Sequence, residues 1–195
     1  MIQKQYHHGD LKQDLIHKGI QLLAREGYES FSLRKLAALC GVSHAAPYKH
    51  FQSKDEIIEE IGKAIAVEFG SALSLSIGYQ PQDPKQQLLA MCREYIRFMA
   101  EHPDYFRFVF MTSHQKPIDI GEDKLQAGGR LPMTVALDCV QRYFEPLHKE
   151  GWRNDFLAVW SMLQGYTLML ICRTIDPGED YLLPAQKIVE GYLNK

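Results

Sequence analysis

A chain of 195 residues that is 46% hydrophobic and 24% charged has the make-up of an ordinary soluble globular protein, long enough for one or two domains and a sizeable core. Cysteines stand at Cys40, Cys92, Cys139 and Cys172 with no CxxC pair and no histidine at metal-ligand spacing, which argues against a disulfide scaffold or a metal site and fits a reduced, cytoplasmic protein. The formal charge of −2 does not suggest nucleic acid, yet its distribution does: residues 1–51 carry seven Lys/Arg against four acids and five of the eight histidines, while the remainder carries 15 basic and 20 acidic residues.

The opening MIQKQYHHGD is polar and lacks the apolar run of a signal peptide. Asp10 to Glu26 predicts a helix, with Asp10 as its cap, Leu11, Leu15, Leu22 and Leu23 as its apolar stripe and Gly27 as its end. A second helix runs from Ser32 to Cys40. Ser32 is a good N-cap, and Leu33, Leu36, Ala37 and Cys40 fall at i, i+3, i+4 and i+7. Gly41 stands where the helix needs a residue able to take positive φ, and Ser43 can cap a short helix through about His50. Two short helices joined by a glycine-containing turn make a helix-turn-helix, whose second helix enters the DNA major groove. His44, Ala45 and Ala46 lie at the end of that helix that meets base edges, and Tyr48, Lys49, His50 and Lys54 are phosphate-type donors. Pro47 lacks an amide donor, so a helix starting one residue later, with His44 as the cap, is an alternative.

Ser53 and Glu56 form a capping box for a helix carrying Ile57, Ile58, Ile61, Ala64, Ile65 and Phe69 to about Leu75, which would connect a small head to the body. GYQPQDP, residues 78–84, is a break. Pro84, with Asp83 as cap, opens a helix whose stripe is Leu88, Cys92, Tyr95 and Met99, and His102-Pro103 closes it. Asp104 can cap a short helix through Met111. Residues 113–130 are polar and glycine-containing and read as a loop. Leu131 to Lys149 returns to helical period until Pro146. Asn154 can cap an apolar helix to about Thr174, whose uncharged run Phe156 to Cys172 is 17 residues, just short of a membrane span. After the Asp176-Pro177-Gly178 turn, Pro184 to Leu193 is the last helix. The expectation is an all-α chain of nine helices, three in a helix-turn-helix domain at 1–52 and six in a domain at 53–195. An enzyme would have to use His102, Asp104 and His114, with no nucleophile, metal or phosphate loop placed beside them.

The head resembles the TetR family of bacterial transcription regulators. The resemblance rests on Tyr6-His7-His8-Gly9-Asp10-Leu11, Glu26-Gly27-Tyr28, Phe31-Ser32-Leu33-Arg34, Leu36-Ala37, Gly41-Val42-Ser43, Tyr48-Lys49-His50-Phe51 and Ser53-Lys54. The body resembles the WHG-type C-terminal domain of one branch. Glu101-His102-Pro103 matches its E-H-P segment, and Trp160 to Gly165 matches W-x-x-x-H-G, with Gln164 in place of the His. The resemblance implies a ligand-responsive repressor without a cofactor, released from a pseudo-palindromic operator on double-stranded DNA when a small hydrophobic or aromatic effector binds. An interaction protein that has lost DNA binding, or an activator, is the alternative. Carried over by position, Ser32, Arg34, Tyr48, His50 and Lys54 would hold phosphates, and Ser43, His44, Ala45, Ala46 and Lys49 would read bases. The effector would be walled by Met91, Tyr95, Met99, Phe106, Phe110, Phe144, Trp160 and Gln164. A homodimer would form through the helices at about 154–174 and 184–193. Their composition agrees, since the first is apolar nearly all round.

Overall fold

The computed structural model describes residues 8–80, 82–111, 131–147 and 151–194; the polar segment 113–130, His7 and Lys149 lie outside them. Among the described residues there are eight α-helices, one 3-10 turn and no strand. They are α1 (His8–Ser30), α2 (Leu33–Cys40), the 3-10 turn (Pro47–Lys49), α3 (Lys54–Gly78), α4 (Pro84–Glu101), α5 (Pro103–Met111), α6 (Leu131–Phe144), α7 (Trp152–Ile171) and α8 (Leu182–Leu193). The all-helical expectation holds. Two compact units result, Met1–Ile65 with Asp104–Gln115 and Ala66–Pro103 with Lys116–Lys195, and the division falls inside α3.

In the first unit, helical geometry in α1 breaks at Gly27, at φ 74 and ψ 171. That region is essentially closed to residues with a Cβ. Leu15, Leu22, Leu36, Phe51, Ile57 and Ile61 are its fully buried core. Gly19 and Gly62 are packing positions. A Cβ on Gly19 would stand 2.7 Å from Ile61 Cδ1, and one on Gly62 would meet the Phe108 ring at 3.6 Å. The Ser53 hydroxyl accepts from Glu56 N at 3.1 Å, and Glu56 Oε2 accepts from Gln52 N at 2.5 Å, so the capping box forms with its return bond one residue upstream of the cap.

In the second unit α4 is central and packs against α6, α7 and α8. Asp83 caps it as expected, accepting from Lys85 N at 2.9 Å. Elsewhere several expected boundaries move. α7 begins at Trp152, with Gly151 as cap and no side-chain bond, because Asn154 N already donates to Gly151 O at 2.9 Å. It ends at Ile171 rather than Thr174, where Arg173 turns left-handed at φ 54 and Thr174 N returns to Met169 O. α8 starts two residues before Pro184, since Asp180 Oδ1 accepts from Leu182 N and Leu183 N. α5 starts at Pro103, leaving Asp104 in its first turn, paired with Arg107 at 3.1 Å. α6 stops at Phe144, before Pro146. α3 is the one described helix with the length and hydropathy of a membrane span, and Ile57, Ile61, Ile65, Phe69 and Leu73 form a buried face along it.

Candidate nucleic-acid interface and regulatory site

The helix-turn-helix is built largely as its residues dictate. Ser32 is extended, and its hydroxyl accepts from Lys35 N at 3.2 Å, which satisfies one free amide at the start of α2. Leu33, Leu36, Ala37 and Cys40 are buried on one side. Gly41 closes the helix at φ 70, ψ 27, its N–H directed at Ala37 O and Ala38 O, and Val42 N donates to Ala37 O at 3.0 Å. Burial pushes the Cys40 thiol up to about 11, so it is an inert core group at neutral pH.

The expected second α-helix, Ser43–His50, is not α-helical. Ala46 N donates to Ser43 O and Lys49 N to Ala46 O, both three residues back, and only Pro47–Lys49 forms a 3-10 turn capped by Ala46. The cause is Pro47, which supplies no amide to an i−4 bond and whose ring is instead buried. Neither Ser43 nor His44 serves as the cap. The segment is held at its far end by Phe51, which is 1% exposed and donates its amide to Pro47 O at 2.9 Å.

This anchoring leaves Arg34, Ser43, His44, Ala45, Tyr48 and Lys49 exposed, with Ser32, Ala46, His50 and Lys54 half-buried. Lys54 is differently placed from the others. Its ammonium donates to the carbonyl of Tyr28 and lies 3.8 Å from the centre of the Tyr28 ring. Tyr28 in turn donates to Asp55 Oδ1 at 2.5 Å, and this bond, with help from desolvation, raises the phenol pKa. Lys54 therefore ties the end of α1 to the start of α3. Sequence spacing carried no sign of this, because the two segments are 26 residues apart. Glu26, held below its usual pKa by the hydrogen bond from Lys35 and then that from Arg25, completes a polar border around the turn.

In the second unit Met91, Tyr95, Met99 and Phe144 are buried, and Trp160 and Gln164 are half-buried. Of these the structure brings Tyr95 and Trp160 together, edge to face at 6.0 Å. Phe69 joins Tyr95 at 5.3 Å, Phe98 stacks on Phe69 at 4.9 Å, and Phe156 meets Trp160 at 5.5 Å. Phe69, Phe98 and Phe156 were missing from the sequence-derived set. Their only signal was a place on apolar stripes, which does not say which stripes meet. Phe144 lies against Tyr143 and Tyr192 at 4.8 and 6.0 Å. Phe106 and Phe110 belong to the first unit, where their rings are 5.0 Å apart. His102 is half-buried at the end of α4, tilted against Phe98 at 4.7 Å, and His114 lies outside the described residues.

Comparison with known proteins gives two matches to families. Residues 15–61 match the profile of bacterial regulatory proteins of the tetR family, and residues 88–180 match that of the tetracyclin repressor-like C-terminal domain. No curated protein matches. A TetR-like transcriptional regulator from Rhodococcus sp. RHA1 has a similar structure, with TM-score 0.72, 14% identity and coverage of 93% of this chain and 92% of that one. A protein of unknown function from the same organism gives 0.69, 20%, 98% and 96%. The regulator FadR from Bacillus subtilis, in complex with stearoyl-CoA, gives 0.71, 15%, 91% and 95%. At these identities the likeness is one of fold.

Proposed function

We infer, from a chain that belongs to the TetR family of bacterial regulatory proteins and is a DNA-binding transcription regulator by that membership, that it is a dimeric repressor released from a pseudo-palindromic operator by a small hydrophobic or aromatic effector. The observation that carries this reading is the exposed set Ser43, His44, Tyr48 and Lys49, on a turn whose Pro47 and Phe51 are buried, with Arg34 exposed on α2. In this reading Ser32, Arg34, Tyr48 and His50 hold phosphates. Ala45 and Ala46 offer only apolar contact, as to a thymine methyl, so hydrogen-bonded base reading falls to His44 and Lys49 with Ser43. Lys54, engaged with Tyr28, supports the turn.

The functional division we propose is a DNA-binding segment at 1–52 and a regulatory and dimerising segment at 53–195, joined by α3. Dimerisation through α7 and α8 is supported by Leu168, Met169, Leu183 and Ile188, large apolar side chains each more than a third exposed in the single chain. The effector acts by favouring a dimer whose two reading turns no longer match half-sites roughly 34–36 Å apart. That a fold relative is found in complex with stearoyl-CoA supports an effector with a lipophilic part.

The test is a gel-shift titration of the protein on its own upstream DNA at several salt concentrations. Arg34→Ala should weaken binding and lower the log–log salt slope by about one, and Lys49→Ala should weaken binding and relax the sequence preference. Unchanged affinity and sequence preference in Lys49→Ala would refute the base-reading assignment. Failure of the native protein to shift DNA at low salt would favour the interaction-protein reading.

A further inference from the structure

Among the described residues of the second unit, α4 carries a buried polar atom without a partner. Tyr95, on α4, is 1% exposed, and among the described residues its hydroxyl has no hydrogen-bond partner. A buried hydroxyl without a partner is disfavoured, and native structures leave few of them. Thr167 on α7 is also fully buried with an unpartnered hydroxyl, but a helical threonine can turn to the carbonyl one turn back. A tyrosine cannot: its hydroxyl lies at the far end of a rigid ring, beyond the reach of its own backbone.

The surroundings define what could satisfy it. Phe69 and Trp160 meet the Tyr95 ring edge to face, and Phe98 and Phe156 extend the cluster on either side. Burial alone raises the phenol pKa, with no charged neighbour contributing. The hydroxyl is therefore a neutral donor at neutral pH in an aromatic, uncharged setting. Among the described residues no charged group contributes at this hydroxyl, so an anionic head group placed against it would lack a cation to offset its desolvation. A flat apolar ring with one neutral acceptor has both complements, since the aromatic side chains pack against the ring and the phenol O–H donates one bond to the acceptor. Trp160, at the edge of the cluster, is only half-buried in the single chain.

We propose that Tyr95 is the specificity-determining donor of the effector site, and that the effector is an uncharged aromatic carrying a single hydrogen-bond acceptor such as a ketone or ester carbonyl. This rests on the reading of the second unit as an effector-binding domain. It narrows that reading to a chemical class, and excludes ligands recognised at this cluster through a carboxylate or phosphate.

The experiment uses full-length protein and two probes, acetophenone and cumene, which share a phenyl ring and a three-heavy-atom substituent and differ in that one carries a carbonyl oxygen where the other has a methyl group. Their dissociation constants are measured by ligand-observed NMR on the native protein and on Tyr95→Phe, and the unfolding midpoint of each protein is measured without probe. The native protein should bind acetophenone about tenfold more tightly than cumene, the discrimination of one good hydrogen bond. Tyr95→Phe should bind both alike, and its midpoint should stay level or rise by roughly 2–4 °C, because an unpaired hydroxyl has been removed. Equal binding of both probes by the native protein, or no binding of acetophenone, overturns the proposal. So does a fall in the Tyr95→Phe midpoint, which would mean the hydroxyl already has a partner. The same preparation is tested on operator DNA. Protein that shifts DNA but does not discriminate the probes sinks this inference alone, and protein that discriminates but shifts no DNA sinks the repressor reading alone.

Discussion

Replacing Gly41 with alanine isolates the backbone strain on which the turn after α2 depends. At φ 70, ψ 27 the residue is left-handed, and a Cβ built there meets nothing within 4 Å. The penalty is therefore purely conformational, about 1–2 kcal/mol for an L-residue in this region. For a chain of this size that corresponds to a fall in the unfolding midpoint of roughly 2–8 °C. Asparagine tolerates the left-handed region, so Gly41→Asn should recover a good part of the loss. Gly27 supplies the contrast. Its ψ of 171 places it where asparagine gains nothing over alanine, so Gly27→Asn and Gly27→Ala should be equally damaging. Thermal melts followed by circular dichroism measure all four. If the turn holds, Gly41→Ala keeps its DNA affinity while losing stability. If Gly41→Ala melts with the native protein, or Gly41→Asn falls as far as Gly41→Ala, the assignment of strain to this position is wrong.

Other outcomes follow from single contacts. Lys54→Ala should lose about 1–2 kcal/mol from its bond and ring contact with Tyr28, yet leave the salt slope of operator binding unchanged, and a double-mutant cycle with Tyr28→Ala, which removes the ring, should show coupling. Gly70→Val should destabilise by about 1–3 kcal/mol in chemical denaturation, because even a Cβ there would stand 2.5 Å from Leu131 Cγ. Ile188→Asp, at an apolar position 48% exposed on α8, should convert the proposed dimer to monomer in light scattering and abolish tight operator binding. Ellman's reagent should leave Cys40, Cys92 and Cys139 unmodified in native protein, since burial raises all three thiol pKa values.

What could be read from the sequence was local. Ser32, Gly41, Ser53 with Glu56, and Asp83 with Pro84 act on amides and carbonyls within a few residues of themselves, so spacing was enough to find them. Asn154 had equal promise as a cap, but Gly151 and Trp152 had already continued the helix upstream. Pro47 was visible as an irregularity, yet whether it would shift a helix or replace it with a 3-10 turn depended on burial of its ring, a tertiary fact. The aromatic cluster was half legible for the same reason. Helical period put Tyr95 and Trp160 on inward faces, but only packing among α3, α4 and α7 could bring in Phe69, Phe98 and Phe156.

The 3-10 turn also separates two things that a longer recognition helix would combine. Pro47 and Phe51 hold the segment in place from below, while Ser43, His44, Ala45, Tyr48 and Lys49 stand in solvent. Substitutions among those five meet little resistance from stability, because surface changes away from packed or capped positions cost little. In the proposed reading, the taste of this regulator for its DNA can therefore drift or be redesigned by exchanging that handful of side chains, with the fold carried along unaltered.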